Sequence, residues 1–301
     1  ADEIIIVNSS SEKLDYSNNP KIKVIDAEKN LTNASKSRNI GASKASGELL
    51  LFVDSDIEFP EDTLEEIENI ISKIEEKDIY TGSYLSSDKN NIISNIDSLL
   101  LRYRVIKLNK LAKYKIINSS HFLIHKSLFE QIGGFNESIN SYEDCDFSVR
   151  AQKIFDANVV IDENLNAYHL KEYSFFGLIK NVLIKNFYFT KLRILNKAFY
   201  KNLTTMLDWK IYLLSSPLLL FFFTFLFTQK VSLGIIVYFF GIIINAFLCK
   251  EIFNNLKLSF VGSMILSIVS VSSYFSAVFS VIVLLFNKTI LNIIKIYNLF
   301  I

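Results

Sequence analysis

The sequence predicts an α/β domain with a mostly parallel sheet, followed by C-terminal transmembrane α-helices. Three observations predict it. Up to residue 170, short β-branched runs alternate with segments of helical spacing, the pattern of strands joined through helical crossovers. The run "ELLLFVD", from Glu48, is continuously apolar and suits a strand covered on both faces. Toward the C-terminus, residues 211–228, 231–249 and 258–286 carry no charge, and each reaches the ~18 residues or more that cross a hydrocarbon core.

Taken in order, "EIIIV" (Glu3 to Val7) and "KIKVID" (Lys21 to Asp26) are β-branched runs separated by turn-forming polar residues, and so read as strands. "NASKSRNIGASKA", Asn33 to Ala45, has Ala and polar residues in helical spacing, with an Asn or Ser as N-cap. Gly47 leads into the "ELLLFVD" strand, where Leu50, Phe52 and Val53 are expected to anchor the chain. "PEDTLEEIENIISKIEEK" opens with proline and acidic residues suited to a first helical turn, and sets Leu64, Ile67, Ile71 and Ile74 on one stripe. Farther on, "EQIGGFNESINSYEDCDFSVRA" offers a tight turn at Gly133 and Gly134, a core plug in Phe135, and a helix opening with three acidic residues.

Charge is unevenly distributed. From residue 171 onward there are 13 Lys and Arg against 3 Asp and Glu; before it, 19 against 28. An acidic domain (1–170) is thus followed by a basic juxtamembrane segment (171–210) and an apolar region (211–301). By the positive-inside rule the basic segment and the domain before it belong to the cytoplasmic side. The two cysteines, Cys145 and Cys249, support neither a disulfide framework nor a zinc site.

Asp54 and Asp56 stand where the strand leaves the core. In a parallel α/β sheet, ligands bind beyond the carboxyl ends of the strands. Two carboxylates this close repel, and a divalent cation with oxygen ligands relieves the repulsion. Spacing alone favours the plainer reading, solvated loop carboxylates. It also leaves open a dehalogenase-like phosphatase, whose pattern has Thr or Val where this chain has Glu58.

With the downstream motif added, the chain resembles the family 2 glycosyltransferases. "SRNIGASKASGELLLFVDSD" is similar to that family's Ala-Arg-Asn-x-Gly helix and metal-binding strand end, and "LIHKSLFEQIGGFNES" to the segment before its acceptor-side helix. "YEDCDFSVRA" resembles the Glu-Asp motif that supplies the base, and "AYHLKEYSFFGLIKN" the His-containing exit of membrane-attached members. The resemblance implies a GT-A, Rossmann-like fold and a nucleotide-sugar donor. It implies Asp144 as general base, and Asn8, Arg38, Asn39, Asp54 and Glu143 at the nucleotide-sugar. It implies Mg2+ or Mn2+ held by Asp54, Asp56 and His169.

Against the family pattern, the chain enters what resembles the second strand almost at once, without an initiator Met, signal peptide or apolar anchor. The expectation is therefore that the family's first strand is missing and the nucleotide site incomplete. "VNSSS" offers Asn8 and Ser9 where the family carries acidic residues.

Between the motifs, Ser98 to Phe129 holds seven Lys and Arg and no Asp or Glu. It reads as a solvated face or a membrane-skimming amphipathic segment. Phe176, Ile179, Leu183 and Phe187 form a similar stripe, and Trp209 beside the first span suits an aromatic belt. Gln229 and Lys230 alone join the first two spans, which are expected to form a hairpin. The combined expectation is a multi-pass protein of a bacterial inner membrane with its catalytic domain in the cytoplasm. It would be an inverting, metal-dependent glycosyltransferase acting on a lipid-linked or envelope glycan, with membrane lipids and no nucleic acid as partners. The alternatives are a non-catalytic scaffold with a decayed nucleotide-binding domain, and the phosphatase.

Overall fold

A computed structural model of the chain describes residues 1–16, 18–27, 33–86, 91–103, 105–106, 109, 112–139, 141–195 and 216–248. The chain divides into two compact units, Ala1–Leu85 with Val105–Leu170, and Ser86–Arg104 with Lys171–Ile301. Residues 86–104 thus group with the C-terminal segment rather than with their sequence neighbours.

In the first unit, β1 (Ile4–Asn8) and β2 (Ile22–Asp26) pair in parallel, Ile4 opposite Ile22 and Asn8 opposite Asp26. Helix α1 (Ala34–Lys44) follows, capped by Asn33, whose Oδ1 accepts the Lys36 N–H at 3.1 Å. The main sheet has five strands: β3 (Leu49–Val53), β4 (Ile57–Glu58), β5 (Asp78–Leu85), β6 (His121–His125) and β7 (Asn158–His169). Their spatial order is β3-β6-β5-β7-β4. Among the described residues this sheet is separate from the β1-β2 pair.

The mostly parallel sheet expected from the sequence is instead mixed. Among the described residues of this five-stranded sheet, β5 and β7 alone pair in parallel, whereas β3-β6, β5-β6 and β4-β7 are antiparallel. Hydrophobic periodicity carries no strand direction, so "HFLIH" reads alike whichever way it runs. The consequence for the site is nonetheless the one expected. β6 is antiparallel to both β3 and β5, so β3, β5 and β7 all run the same way. Their carboxyl ends therefore lie along one edge of the sheet.

A phenylalanine cluster joins this edge to the helices. Phe52 stacks on Phe122 with centroids 4.5 Å apart, and Phe135 lies 4.7 Å from Phe147. Phe122, Phe129, Phe135 and Phe147 are buried with Ala42 of α1 and Leu50. α4 (Lys126–Ile132) and α5 (Glu143–Ile154) supply Phe129 and Phe147. Phe135 fills the core as expected. Val53 does not anchor the strand: it and Leu51 are exposed, so β3 is covered on one face only among the described residues.

Helix α2 (Glu61–Lys73) follows Pro60, with Glu61 and Asp62 in its first turn. Its buried stripe is Thr63, Ile67 and Ile70, while Leu64 and Ile71 of the expected stripe are exposed. The helix is rotated because Thr63 Oγ1 donates to the Asn166 carbonyl of β7 at 2.8 Å. A polar residue thereby joins the buried face, which an apolar count overlooks. β5 and β7 shift register at Gly82, where an added Cβ would lie 1.4 Å from the Leu165 carbonyl oxygen, so only glycine lets the strands approach this closely.

In the second unit, α3 (Ile92–Tyr103) and α6 (Phe175–Leu195) meet through Ile93, Tyr173, Leu178 and Val182. Asn91 Oδ1 accepts the N–H groups of Ile93 and Ser94 at the start of α3, and Asn91 Nδ2 donates to the Tyr173 carbonyl. Of the expected interfacial stripe on α6, Phe176 and Leu183 are exposed; the Phe187 side chain lies outside the described residues. α7 (Ser216–Thr228) and α8 (Val231–Leu248) form a helical hairpin at the first two expected spans. Gly234 seats against the Phe221 ring, which an added Cβ would meet at 2.9 Å. Among the described residues no helix is long and apolar enough to cross a membrane. The third expected span, the C-terminal tail, Trp209 and residues 196–210 lie outside the described residues.

Glu3 ties the start of β1 to the chain entering β3, accepting from Ser46 Oγ at 2.7 Å, Gly47 N at 3.2 Å and Lys23 Nζ at 2.7 Å. The Lys23 ion pair, then the Ser46 bonds, lower its pKa from 4.5 to about 2. A carboxylate with a depressed folded pKa stabilises fully above its unfolded value and loses that contribution as pH falls through the folded one. The difference in unfolding midpoint between wild type and Glu3→Gln should accordingly be constant at neutral pH and shrink from pH 4.5 toward 2, as followed by circular dichroism melts.

Candidate functional site

Two strand ends and one helix start bring the acidic residues and His169 together. β3 delivers Asp54 directly and Asp56 two residues later. The Asp54 N–H donates to the Ser120 carbonyl at 2.8 Å, and the Asp56 carbonyl accepts from Leu170 N at 2.8 Å. The backbone on both sides of the acidic pair is thereby fixed to β6 and to the end of β7. β7 delivers His169, paired with Ile57 in the sheet. α5 delivers Glu143 and Asp144 in its first turn, just after Tyr142, whose backbone is left-handed at φ 66°. Such a conformation is costly for a bulky residue.

The two acidic motifs meet on one guanidinium. Arg38 Nη2 donates to Asp54 Oδ1 at 2.8 Å and Oδ2 at 3.1 Å, while Nη1 donates to Glu143 Oε1 at 2.9 Å. The Arg38 side chain is only 10% exposed, and its Cζ lies 5.4 Å from the Phe135 ring centroid. Burial opposes the Arg38 charge, but Asp54 and Glu143 outweigh it and leave the pKa above the usual value. Burial raises the Asp54 carboxyl, with Arg38 pulling it back down.

Asp56 turns the other way, its Oδ2 3.4 Å from His169 Nε2. His169 stacks on Tyr84, with centroids 4.9 Å apart and planes 27° from parallel. Tyr84 in turn meets the edge of buried His121, and its hydroxyl donates to Asn118 Oδ1 at 3.3 Å. Burial raises the Tyr84 phenol and lowers His121 to about 4. Tyr84 and His121 were not singled out in the sequence. The available signal was the position of Tyr84 at the end of the β-branched run "DIYTGSYL".

Other expected residues are engaged in holding loops. Asn8 is buried: its Nδ2 donates to the Glu12 carbonyl and to Asp26 Oδ1, and its Oδ1 accepts from Ser10 N and Oγ. Asn39 Oδ1 accepts the Phe135 N–H at 2.9 Å, and Asn39 Nδ2 donates to the Phe135 carbonyl and Glu137 Oε1. It thus clamps the turn through Gly133 and Gly134, both at positive φ. Asp144 Oδ1 accepts the Cys145 N–H at 2.7 Å at the opening of α5. Asp146 pairs with Arg150, which also donates to the Ile132 and Gly134 carbonyls. Cys145 is fully buried, and burial raises its thiol well above the usual value, so it serves as packing rather than as a nucleophile.

Asp56 and His169 converge as one oxygen and one nitrogen donor, 3.4 Å apart; the carboxylate is a ligand type of both Mg2+ and Mn2+, while the imidazole suits Mn2+ better than Mg2+. Among the described residues no group of three His, Cys, Asp or Glu side chains is arranged to hold a metal. Asp54 faces Arg38, so the remaining ligands of a cation here would come from substrate oxygens and water, as is usual for Mg2+ bound with phosphates.

A mixed α/β sheet with acidic strand-end and helix-start motifs joined along its carboxyl edge defines a GT-A-like protein. Residues 2–211 match the family described as "Glycosyltransferase like family 2", and the chain belongs to that family. Among solved structures it is similar to the mannosyltransferase PcManGT from Pyrobaculum calidifontis in complex with GDP-Man and Mn2+. The identity is 12%, the match covers 92% of this chain and 77% of that one, and the TM-score is 0.53; the likeness is one of fold. It also matches S. aureus TarS 1–349, at 19% identity, 62% and 55% coverage and TM-score 0.40. A longer S. aureus TarS structure matches at 21% identity, 64% and 34% coverage, with the same score. The chain thus spans about half or less of the TarS structures it matches. No curated protein matches.

Two outcomes follow from this geometry. Gly134 sits at φ 64°, and an added Cβ would lie 2.6 Å from Asn39 Oδ1, so Gly134→Ala should cost at least the ~1–2 kcal/mol of a left-handed L-residue, read from denaturant midpoints. His121, held near 4, resists protonation in the folded state. It therefore contributes stability above the unfolded value of 6.5 that is lost as pH falls toward 4. Wild type should lose stability relative to His121→Gln across that window in parallel melts.

Proposed function

We propose that this glycosyltransferase family member transfers a sugar from a nucleotide-sugar to a lipid-linked or cell-envelope glycan acceptor at the cytoplasmic face of a membrane, with inversion at the anomeric carbon. The reading rests on the Arg38 bridge, which joins the strand-end and helix-start carboxylates within the span of one guanidinium.

On this reading Asp144 is the general base. An acceptor hydroxyl is a weak nucleophile at neutral pH, and a carboxylate in hydrogen-bond reach takes its proton as the oxygen bonds to the anomeric carbon. The bond from that carbon to the donor's phosphate oxygen breaks, and its electron pair leaves with the nucleoside diphosphate. Asp56 and His169 would hold a divalent cation, Mg2+ or Mn2+. When bound, it supplies Lewis-acid stabilisation of the leaving diphosphate. Tyr84 keeps the His169 ring in place by stacking. Arg38 holds Asp54 and Glu143 beside the donor, and Asn39 preserves the turn on which Phe135 and Arg38 pack. One base and one cation site, with no carboxylate assigned as nucleophile, favour direct displacement over a covalent intermediate.

Attachment to a membrane is supported by the second unit. Residues 216–228 and 231–248 carry no charge, and Leu226, Phe227, Phe240 and Ile243 of α7 and α8 are exposed, Phe227 at 82%. An aqueous surface rarely tolerates apolar side chains in such density. Exposed Phe176 and Leu183 on basic α6 extend the same character, as expected of an interfacial helix. The excess of Lys and Arg from residue 171 onward is the basis for assigning the cytoplasmic side.

The test is a donor screen on the full-length chain in lipid nanodiscs with Mn2+, using UDP-, GDP- and dTDP-hexoses and a polyprenyl phosphate. Nucleoside diphosphate release should appear with at least one donor. Asp144→Asn should lower it by roughly 100- to 10,000-fold, the range of a lost general base, and Asp56→Ala should abolish its dependence on metal. Turnover of none of the donors would favour a scaffold, and phosphate release from phosphomonoesters a phosphatase; either overturns the reading.

A further inference from the structure

We infer that Arg38 is a built-in counter-cation that sets how tightly this site binds a divalent metal: it occupies both oxygens of Asp54 and so withholds that carboxylate from the cation. The inference deepens the proposed function and rests on its assignment of the metal to Asp56 and His169.

An Asp-x-Asp strand end places two negative charges side by side, and either a cation or a basic side chain relieves them. Here the basic side chain is already present. Arg38 reaches both Asp54 oxygens, at 2.8 and 3.1 Å, through one nitrogen. Its other nitrogen is committed to Glu143 at 2.9 Å. The fork is held from below by Phe135 and is nearly buried, so its release from Asp54 would strand a charge in a poorly solvated place. Arginine cannot shed its proton to escape. A metal approaching Asp56 and His169 therefore meets the fixed positive charge that Arg38 places on Asp54, two residues before Asp56, and finds Asp54 engaged. The same guanidinium couples the halves of the site: whatever draws Asp54 toward a cation also loosens Glu143, the neighbour of Asp144. Arg38 is in this sense a positioning residue.

The test uses Mn2+ alone, without nucleotide, titrated into the purified full-length chain in detergent micelles, with free Mn2+ read by electron paramagnetic resonance. A residue that merely props up the fold would weaken binding when removed. Arg38→Gln is instead expected to bind Mn2+ at least about tenfold more tightly than wild type, because a nearby like charge is gone and Asp54 becomes a ligand. Because Arg38→Gln alone leaves two carboxylates uncompensated and risks misfolding, Arg38→Gln/Glu143→Gln provides a second variant with the local charge restored. It should show the same gain, with folding verified by circular dichroism. Adding Asp54→Asn to that pair should remove the gain. Unchanged or weaker Mn2+ binding in the folded double variant overturns the inference, as does a gain that survives Asp54→Asn. These results are separable from the proposed function, which stands or falls on donor turnover by the wild type.

Discussion

The candidate site depends on a charge that never reaches solvent freely. Arg38 comes from the middle of a helix, and its two nitrogens link a strand end to a helix start far away in sequence. A guanidinium so placed is costly to desolvate unless its donors are matched, and here they are: two carboxylates and an aromatic face meet it. Deleting one partner of such an arrangement typically costs ~3–5 kcal/mol, because the others are left as uncompensated charge. The local order of the acidic residues is thus inherited from the arginine, and the helix that carries it is in turn pinned to the glycine turn by Asn39.

The sheet supplies the second constraint. Because β6 runs against both of its neighbours, β3, β5 and β7 end on the same edge. Asp54, Tyr84 and His169 come from these three ends, and His121 from the start of β6 faces them. The row His121, Tyr84, His169, Asp56 is then a packed series from a buried neutral imidazole to a carboxylate. Gly82 permits it by letting β7 cross close to β5 just before Tyr84.

Much of this was legible in advance, for reasons specific to each element. The capping Asn33, the proline and acidic opening of α2, and the Gly-Gly turn are local signals whose chemistry works within a few residues. Asp56, Glu143 and Asp144 stood out because carboxylates crowd there without local counter-charges. Asn8 and Asn39 were expected at the nucleotide-sugar from the family resemblance, and their amides bond within loops, because a turn needs donors and acceptors as much as a ligand does. Tyr84, for all its place at a strand end, and His121 did not stand out, since an aromatic in an apolar run looks like core until its neighbour is known.

The sequence by itself determined the alternation of strands and helices, the apolar strand running into Asp54 and Asp56, and the separation of an acidic first part from a basic, apolar remainder. These follow from periodicity and composition, which act along the chain. Tertiary structure decided strand direction, the face that α2 buries, and above all the partition of the acidic pair, with Asp54 to Arg38 and Asp56 to His169. Those outcomes depend on which side chains arrive from distant segments, because a carboxylate takes the basic or polar partner that the fold brings within reach.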